Sequence, residues 1–152
     1  MTDDFYFPAP TSASAPKVDD GLALWRFNDV QLRQHDDWAV DKDQYGNPDD
    51  GRRFHFIGTL VDADHDPIYG DDGDPIEIDK LTRTATGKRS GFRAVMEGLL
   101  TPQEFQAFLA STAEAPFNAT SVRGRVYNIK VGHSGSGWPN VSDIIGVAKV
   151  PK

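Results

Sequence analysis

Two groups of side chains in this sequence have the types and spacing to grip a polyanion. Arg83, Lys88, Arg89 and Arg93 fall before and at the start of an expected helix, and Arg123, Arg125 and Lys130 along an expected strand. The chain as a whole is acidic, with a net charge of −7. That charge is unevenly spread. Residues 1–74 hold 17 Asp and Glu against 6 Lys and Arg, whereas residues 75–152 hold 6 against 10. Screening confines each charge to about 10 Å at physiological salt, so a locally basic region can bind nucleic acid on an acidic chain.

A binder of single strands also needs flat side chains on which bases stack. Trp138 is the best-placed candidate, because it follows the glycine-rich loop Ser134-Gly135-Ser136-Gly137 and precedes Pro139. It either stacks on bases or folds back onto the mouth of the domain. Two-residue alternation puts Arg123, Arg125, Tyr127 and Ile129 on one strand face. That face reads either as a nucleic-acid surface or as a solvated one with a satisfied tyrosine. Trp25 and Phe27 have apolar neighbours and read as core.

Other chemistry is weaker. Thr86-Gly87-Lys88-Arg89-Ser90 opens a helix, where backbone N–H groups favour a phosphate. It is not a nucleotide-binding loop, since no glycine lies five residues before Gly87 and Arg89 separates Lys88 from Ser90. Asp62-Ala63-Asp64-His65-Asp66 begins like a calcium loop but fails at Pro67 and Gly73, where that loop needs Gly and Glu. Asp71, Asp72 and Asp74 offer loose cation binding at most, in a loop that reads as solvated. His35, His55, His65 and His133 show no ligand spacing. Asn118-Ala119-Thr120 matches a glycosylation sequon, which matters only in a secreted eukaryotic protein. With no cysteine, disulfides, thiolate metal sites and cysteine nucleophiles are excluded. The sequence therefore predicts a non-enzyme, with no catalytic residue, metal or cofactor.

The elements that must position these residues follow from pattern. At 152 residues one domain is expected. Residues 1–20 read as a flexible tail, low in complexity from Pro8 to Pro16, with Phe5-Tyr6-Phe7 as an aromatic triplet able to dock on a neighbour. The tail lacks a signal peptide's basic start and apolar stretch, and no apolar run approaches a membrane span, so an intracellular protein without membrane contact is expected. Leu22–Leu32 predicts a strand with a bulge between Phe27 and Val30, 54–61 a central strand, and Ile76–Arg83 a third. Phe92, Val95, Met96 and Leu99 predict a helix capped by Ser90 and weakened by Gly98. Thr101-Pro102-Gln103-Glu104 opens a second helix with a capping box. Val122–His133 and Val141–Val150 predict a closing hairpin. Three strands, two short helices and two strands fit a mainly β domain over residues 21–152. A five-stranded oligonucleotide-binding (OB) barrel with its helices between strands three and four has this order, as does an α+β sandwich.

The second half also carries a resemblance, over about residues 75–152. Lys88-Arg89-Ser90-Gly91-Phe92-Arg93, Leu99-Leu100-Thr101-Pro102-Gln103-Glu104-Phe105, Val122-Arg123-Gly124-Arg125-Val126 and the run from Asn140-Val141 to Val150-Pro151-Lys152 resemble a group of small phage-encoded, OB-fold-like proteins. In that group a Lys-Ser-x-x-Arg helix start, a Thr-Pro-Glu-Glu helix, a glycine-containing strand and a proline-lysine ending recur. The chain departs from the group at Ala113-Glu114-Ala115-Pro116-Phe117 and at Gly137-Trp138-Pro139-Asn140, and its acidic first half has no counterpart there. The resemblance implies a single-stranded-DNA-binding accessory of replication or recombination, acting in the cytoplasm of a bacterial host. The implied partners are single-stranded DNA and a further copy or another phage protein. The residues expected to bind nucleic acid are Lys88, Arg89, Arg93, Arg123, Arg125, Lys130, Tyr127 and Trp138. The rival expectation is a virion or assembly protein whose N-terminal arm reaches a neighbouring subunit.

Overall fold

Trp25 and Phe27 point inward from β1 (Gly21–Gln34), because alternate residues of an extended chain face one side. The computed structural model describes residues 17–150 apart from Ser136, so Phe5-Tyr6-Phe7 and the rest of the expected tail up to Pro16 lie outside the described residues. The alternation slips between Phe27 and Asp29, where β1 bulges against its neighbour β2 (Arg52–Val61). The bulge lets one strand serve two pairings. The first part of β1 pairs with both β2 and β4 (Val126–His133), and among the described residues the part after the bulge pairs with β2 alone.

Gly58 of β2 permits the tightest packing in the core. A Cβ there would lie 2.2 Å from Trp25 Cε2, so the glycine leaves the room that the indole fills. Trp25 is fully buried and its Nε1–H donates to the Ile78 carbonyl at 3.0 Å, which ties β1 to β3 (Glu77–Thr82). The helices form as their caps dictate. Ser90 accepts from Arg93 N–H at the start of α1 (Gly91–Leu99). Thr101 and Glu104 close a reciprocal box at the start of α2 (Pro102–Leu109). Val95, Met96 and Leu99 bury the inner face of α1 against the sheet.

Gly98 does more than weaken a helix. A Cβ there would come within 2.4 Å of the Ile144 carbonyl oxygen on β5 (Pro139–Val147). Gly98→Ala would gain about 1 kcal/mol of helix propensity, but overpacking of this kind costs about 1–3 kcal/mol. The expected net result is destabilisation by about 1–2 kcal/mol, read as a lower urea midpoint at unchanged slope.

All strand pairs are antiparallel, in one sheet of order β3-β2-β1-β4-β5. The chain is thus mainly β with two short helices, as expected, but its five strands form one open sheet and do not close into the expected five-stranded barrel. Its edge strands β3 and β5 approach closely enough for Lys80 Nζ to donate to the Ser142 carbonyl at 2.9 Å. No ladder joins them among the described residues, because backbone pairing needs strands only about 4.8 Å apart. The fourth strand begins at Val126 instead of Val122. Thr120–Val122 form a 3-10 turn, and Gly124 takes a positive φ of 81° that breaks the extended run. Before β1, Val18 packs partly against the core and the Asp20 carboxylate contacts the His133 ring. Among the described residues, no helix is long and apolar enough to cross a membrane.

Candidate nucleic-acid interface

The gap between the two sheet edges is an open cleft of about 740 Å³. Glu77–Leu81 of β3 form one wall and Trp138–Ser142, from the β4–β5 turn into β5, form the other. Trp38 of the β1–β2 loop and Ser134 complete the lining. Trp38 and Trp138 are 42% and 43% exposed, so each keeps close to half its surface for a ligand. Lys80 brings a cation into the cleft, and Glu77 and Asp79 bring carboxylates.

The loop that carries Trp38 is held by specific contacts. Trp38 ends a 3-10 turn, Asp36–Trp38, and stacks on His35 with ring centroids 4.0 Å apart and planes 17° from parallel. The Arg53 guanidinium lies 5.2 Å from the centre of the same indole, within cation–π range. His35 Nε2 shares a hydrogen bond with His55 Nε2 at 2.7 Å, and His55 Nδ1 meets Asp79 Oδ2 at 3.1 Å. A relay of ring and carboxylate therefore runs from β3 through β2 to the loop. Beside it, Asp49 is gripped by Arg53 at 2.7 and 2.9 Å and by Arg83 at 3.0 Å, while Arg83 also reaches Asp43 at 2.8 Å. The Arg53 hydrogen bonds, with help from Gly51 N–H, hold the Asp49 carboxyl far below the usual carboxylate range. Trp38 is thus presented on a braced platform, whereas Trp138 has no ring or cation against it among the described residues.

The residues expected to bind nucleic acid do not share one groove. Arg123 pairs with Asp29 at 2.8 Å, and Arg125 makes a bidentate pair with Glu104 at 2.8 and 3.1 Å. Both arginines precede β4, and Trp138 follows its far end at His133. Eight residues of strand, about 26 Å, separate the two ends. Arg93 turns onto the Phe108 ring, its guanidinium carbon 6.0 Å from the centroid. Lys88 and Arg89 are exposed just before α1, and Lys130 is exposed on β4 opposite Asp143; none of the three makes an ion pair among the described residues. Tyr127 is corrected outright. It is fully buried, donates through Oη to the Leu99 carbonyl at 2.6 Å, and offers no face to a base. Burial pushes its hydroxyl up to about 12. Its alternation with Ile129 is real, but that face of β4 is the core side.

The Arg125 pair has a consequence that can be measured. Hydrogen bonds from Arg125, then from Thr101 N–H, lower the Glu104 carboxyl from 4.5 to about 2. A carboxyl depressed in the folded state adds stability above its unfolded value and loses it as pH falls through its folded value. Stability from this pair is therefore complete above about pH 4.5 and fades toward pH 2. Glu104→Gln is expected to cost about 1 kcal/mol at pH 7 and little at pH 2.5, in urea unfolding at both pH values.

Asp62, Asp64 and Asp66 bring one oxygen each within 4.8 Å of one another, all exposed. Asp62 Oδ1 already accepts from Asp64 N–H and Asp66 N–H, so these contacts account for the turn. Asp71, Asp72 and Asp74 form no such group among the described residues.

Sequence reasoning missed Trp38, Arg53, Lys80 and the His35–His55–Asp79 relay. The one available signal was Trp38 itself, a large aromatic in a segment otherwise polar and turn-rich. The chain matches no protein-family model and no curated protein at a significant level.

Proposed function

We propose that this chain is a non-catalytic binder of single-stranded DNA, with an OB-like open sheet as its scaffold. The observation that carries this reading is the pair of half-exposed tryptophans, Trp38 and Trp138, in one cleft. They come from the β1–β2 and β4–β5 loops. In OB domains these two loops and the face of strands two and three bind oligonucleotides. The strand order and the placement of α1 and α2 between β3 and β4 agree with that scaffold. The cleft is open at the surface, as a strand that enters sideways requires. A role in phage replication or recombination, in the cytoplasm of a bacterial host, follows from the resemblance of residues 75–152.

The mechanism differs from a cationic groove. Stacking contributes about 1–3 kcal/mol per base and accepts any base. Phosphate contacts are few, since Arg53, Arg83, Arg123 and Arg125 are already held by carboxylates. Lys80 lies in the cleft, and Lys88 and Arg89, which make no ion pair among the described residues, offer further cations to the backbone. Two to three phosphates neutralised give a log–log salt slope of about −1.4 to −2.1, against about −4 for six. Anisotropy of labelled oligo-dT at 50 and 200 mM salt measures that slope. A slope near −4 restores the cationic groove. No binding at 50 mM, with sedimentation as a large symmetric assembly, replaces this reading with the assembly role.

A further inference from the structure

We propose that two copies of this chain pair through the second half of β1, antiparallel about a two-fold axis at Gln31. The pairing does not depend on the function proposed above.

The way β1 is used leaves one edge open. On the β4 side its backbone bonds end at Phe27, whose N–H donates to the Arg125 carbonyl and whose carbonyl accepts from Gly124 N–H. From Asp29 to Gln34 the strand pairs with β2 alone among the described residues. His35 N–H donates to the Gly51 carbonyl at 2.8 Å, on the β2 side. Backbone groups point to alternate sides along an antiparallel strand, so Asp29, Gln31 and Arg33 also bond toward β2. Val30 and Leu32 therefore turn their N–H and C=O groups to the other side. An unpaired row of this kind is a template for a further strand. The loop after β1 folds away from that row, toward the end of β3, where Asp43 meets Arg83.

Charge and apolar pattern identify the occupant as a second copy. Centred on Gln31, antiparallel pairing sets Val30 against Leu32 of the second copy, both with outward backbone groups, and the two-fold axis repeats the pair. The same register sets Asp29 against Arg33 of the second copy, again twice. Arg33 holds Gln31 Oε1 of its own strand at 2.7 and 3.0 Å and makes no ion pair among the described residues. Asp29 meets Arg123 at 2.8 Å, and a carboxylate accepts from more than one guanidinium. An axis at Leu32 would set Arg33 against Gln31 and forfeit both ion pairs. On the opposite face Val30 and Leu32 are 44% and 55% exposed beside Phe56 and Phe54 of β2, so the pairing also covers apolar surface at the rim of the core.

Sedimentation of the full chain is expected to show a monomer–dimer equilibrium with a Kd of about 1–10 μM, as so small an interface implies. Arg33→Glu places like charges opposite each other at two symmetric contacts, so dimerisation should weaken about tenfold. The exchange Asp29→Lys/Arg33→Glu should restore it to within about threefold. The chain has no cysteine, and opposed residues at the axis have Cα atoms about 4.5 Å apart, within disulfide reach. Gln31→Cys is therefore expected to cross-link into a dimer under mild oxidation, and faster than Lys88→Cys, which is exposed just before α1. A chain that stays monomeric at about 100 μM overturns the proposal. A dimer that Arg33→Glu leaves intact, or that Gln31→Cys cross-links no faster than Lys88→Cys, uses another surface and overturns this one. Weakening that the charge exchange does not restore overturns the register centred on Gln31.

Discussion

Trp138→Ala is expected to weaken oligo-dT binding about 5- to 150-fold, the loss of one base-stacking platform at about 1–3 kcal/mol. Its thermal midpoint should stay within about 2 °C of the parent, since a surface change away from core contacts costs little. The separation of the two effects follows from the surroundings. Trp138 is 43% exposed with no ring or cation against it among the described residues, so truncation leaves no buried gap. Trp38→Ala is expected to behave differently. It removes the indole that packs against both His35 and Arg53, so binding and the order of the β1–β2 loop should fall together. If Trp138→Ala binds like the parent, the cleft is not where DNA lies.

Gly58→Ala is expected to cost about 3 kcal/mol or more and to lower the midpoint by about 10 °C. The added Cβ would lie 2.2 and 2.4 Å from Trp25 Cε2 and Nε1 and 2.5 Å from the Arg26 carbonyl oxygen. None of these can yield cheaply. The indole is fully buried and bonded to Ile78, and the carbonyl belongs to the β1–β2 ladder region. Relief requires β1 to move away from β2, with loss of core packing. The cost is a large part of the 5–15 kcal/mol that stabilises an ordinary domain. A variant that melts within about 2 °C of the parent would show that the strands are farther apart than described.

The sequence disclosed what depends on near neighbours. Ser90, Thr101 and Glu104 announced both helix starts, because a cap bonds to a group three residues away. The slip after Phe27 announced the bulge, and the apolar run at 54–61 announced a central strand. What failed depends on distant partners. Arg125 reads as a free cation until Glu104, 21 residues earlier, folds against it. Arg123 meets Asp29 across 94 residues. Alternation groups Tyr127 with Ile129 correctly, but it turns that face outward in the sequence reading, because periodicity does not say which face becomes the core. Trp38 gains its position from His35, Arg53 and the pairing of Gln34 with Arg52, none of which a local pattern encodes. Closure of the sheet was equally illegible. It turns on whether two edges that share no sequence signal come within backbone reach.

On the proposed function, a single strand lies between Trp38 and Trp138. The three indole N–H resonances test it most directly in a titration with oligo-dT followed by ¹H–¹⁵N correlation, each assigned by a Trp→Phe variant. Trp25 is the internal control, since its N–H is buried and bonded to Ile78. The Trp38 and Trp138 signals are expected to move together with one affinity while Trp25 stays in place. Three stationary indole signals at saturating oligonucleotide would contradict it.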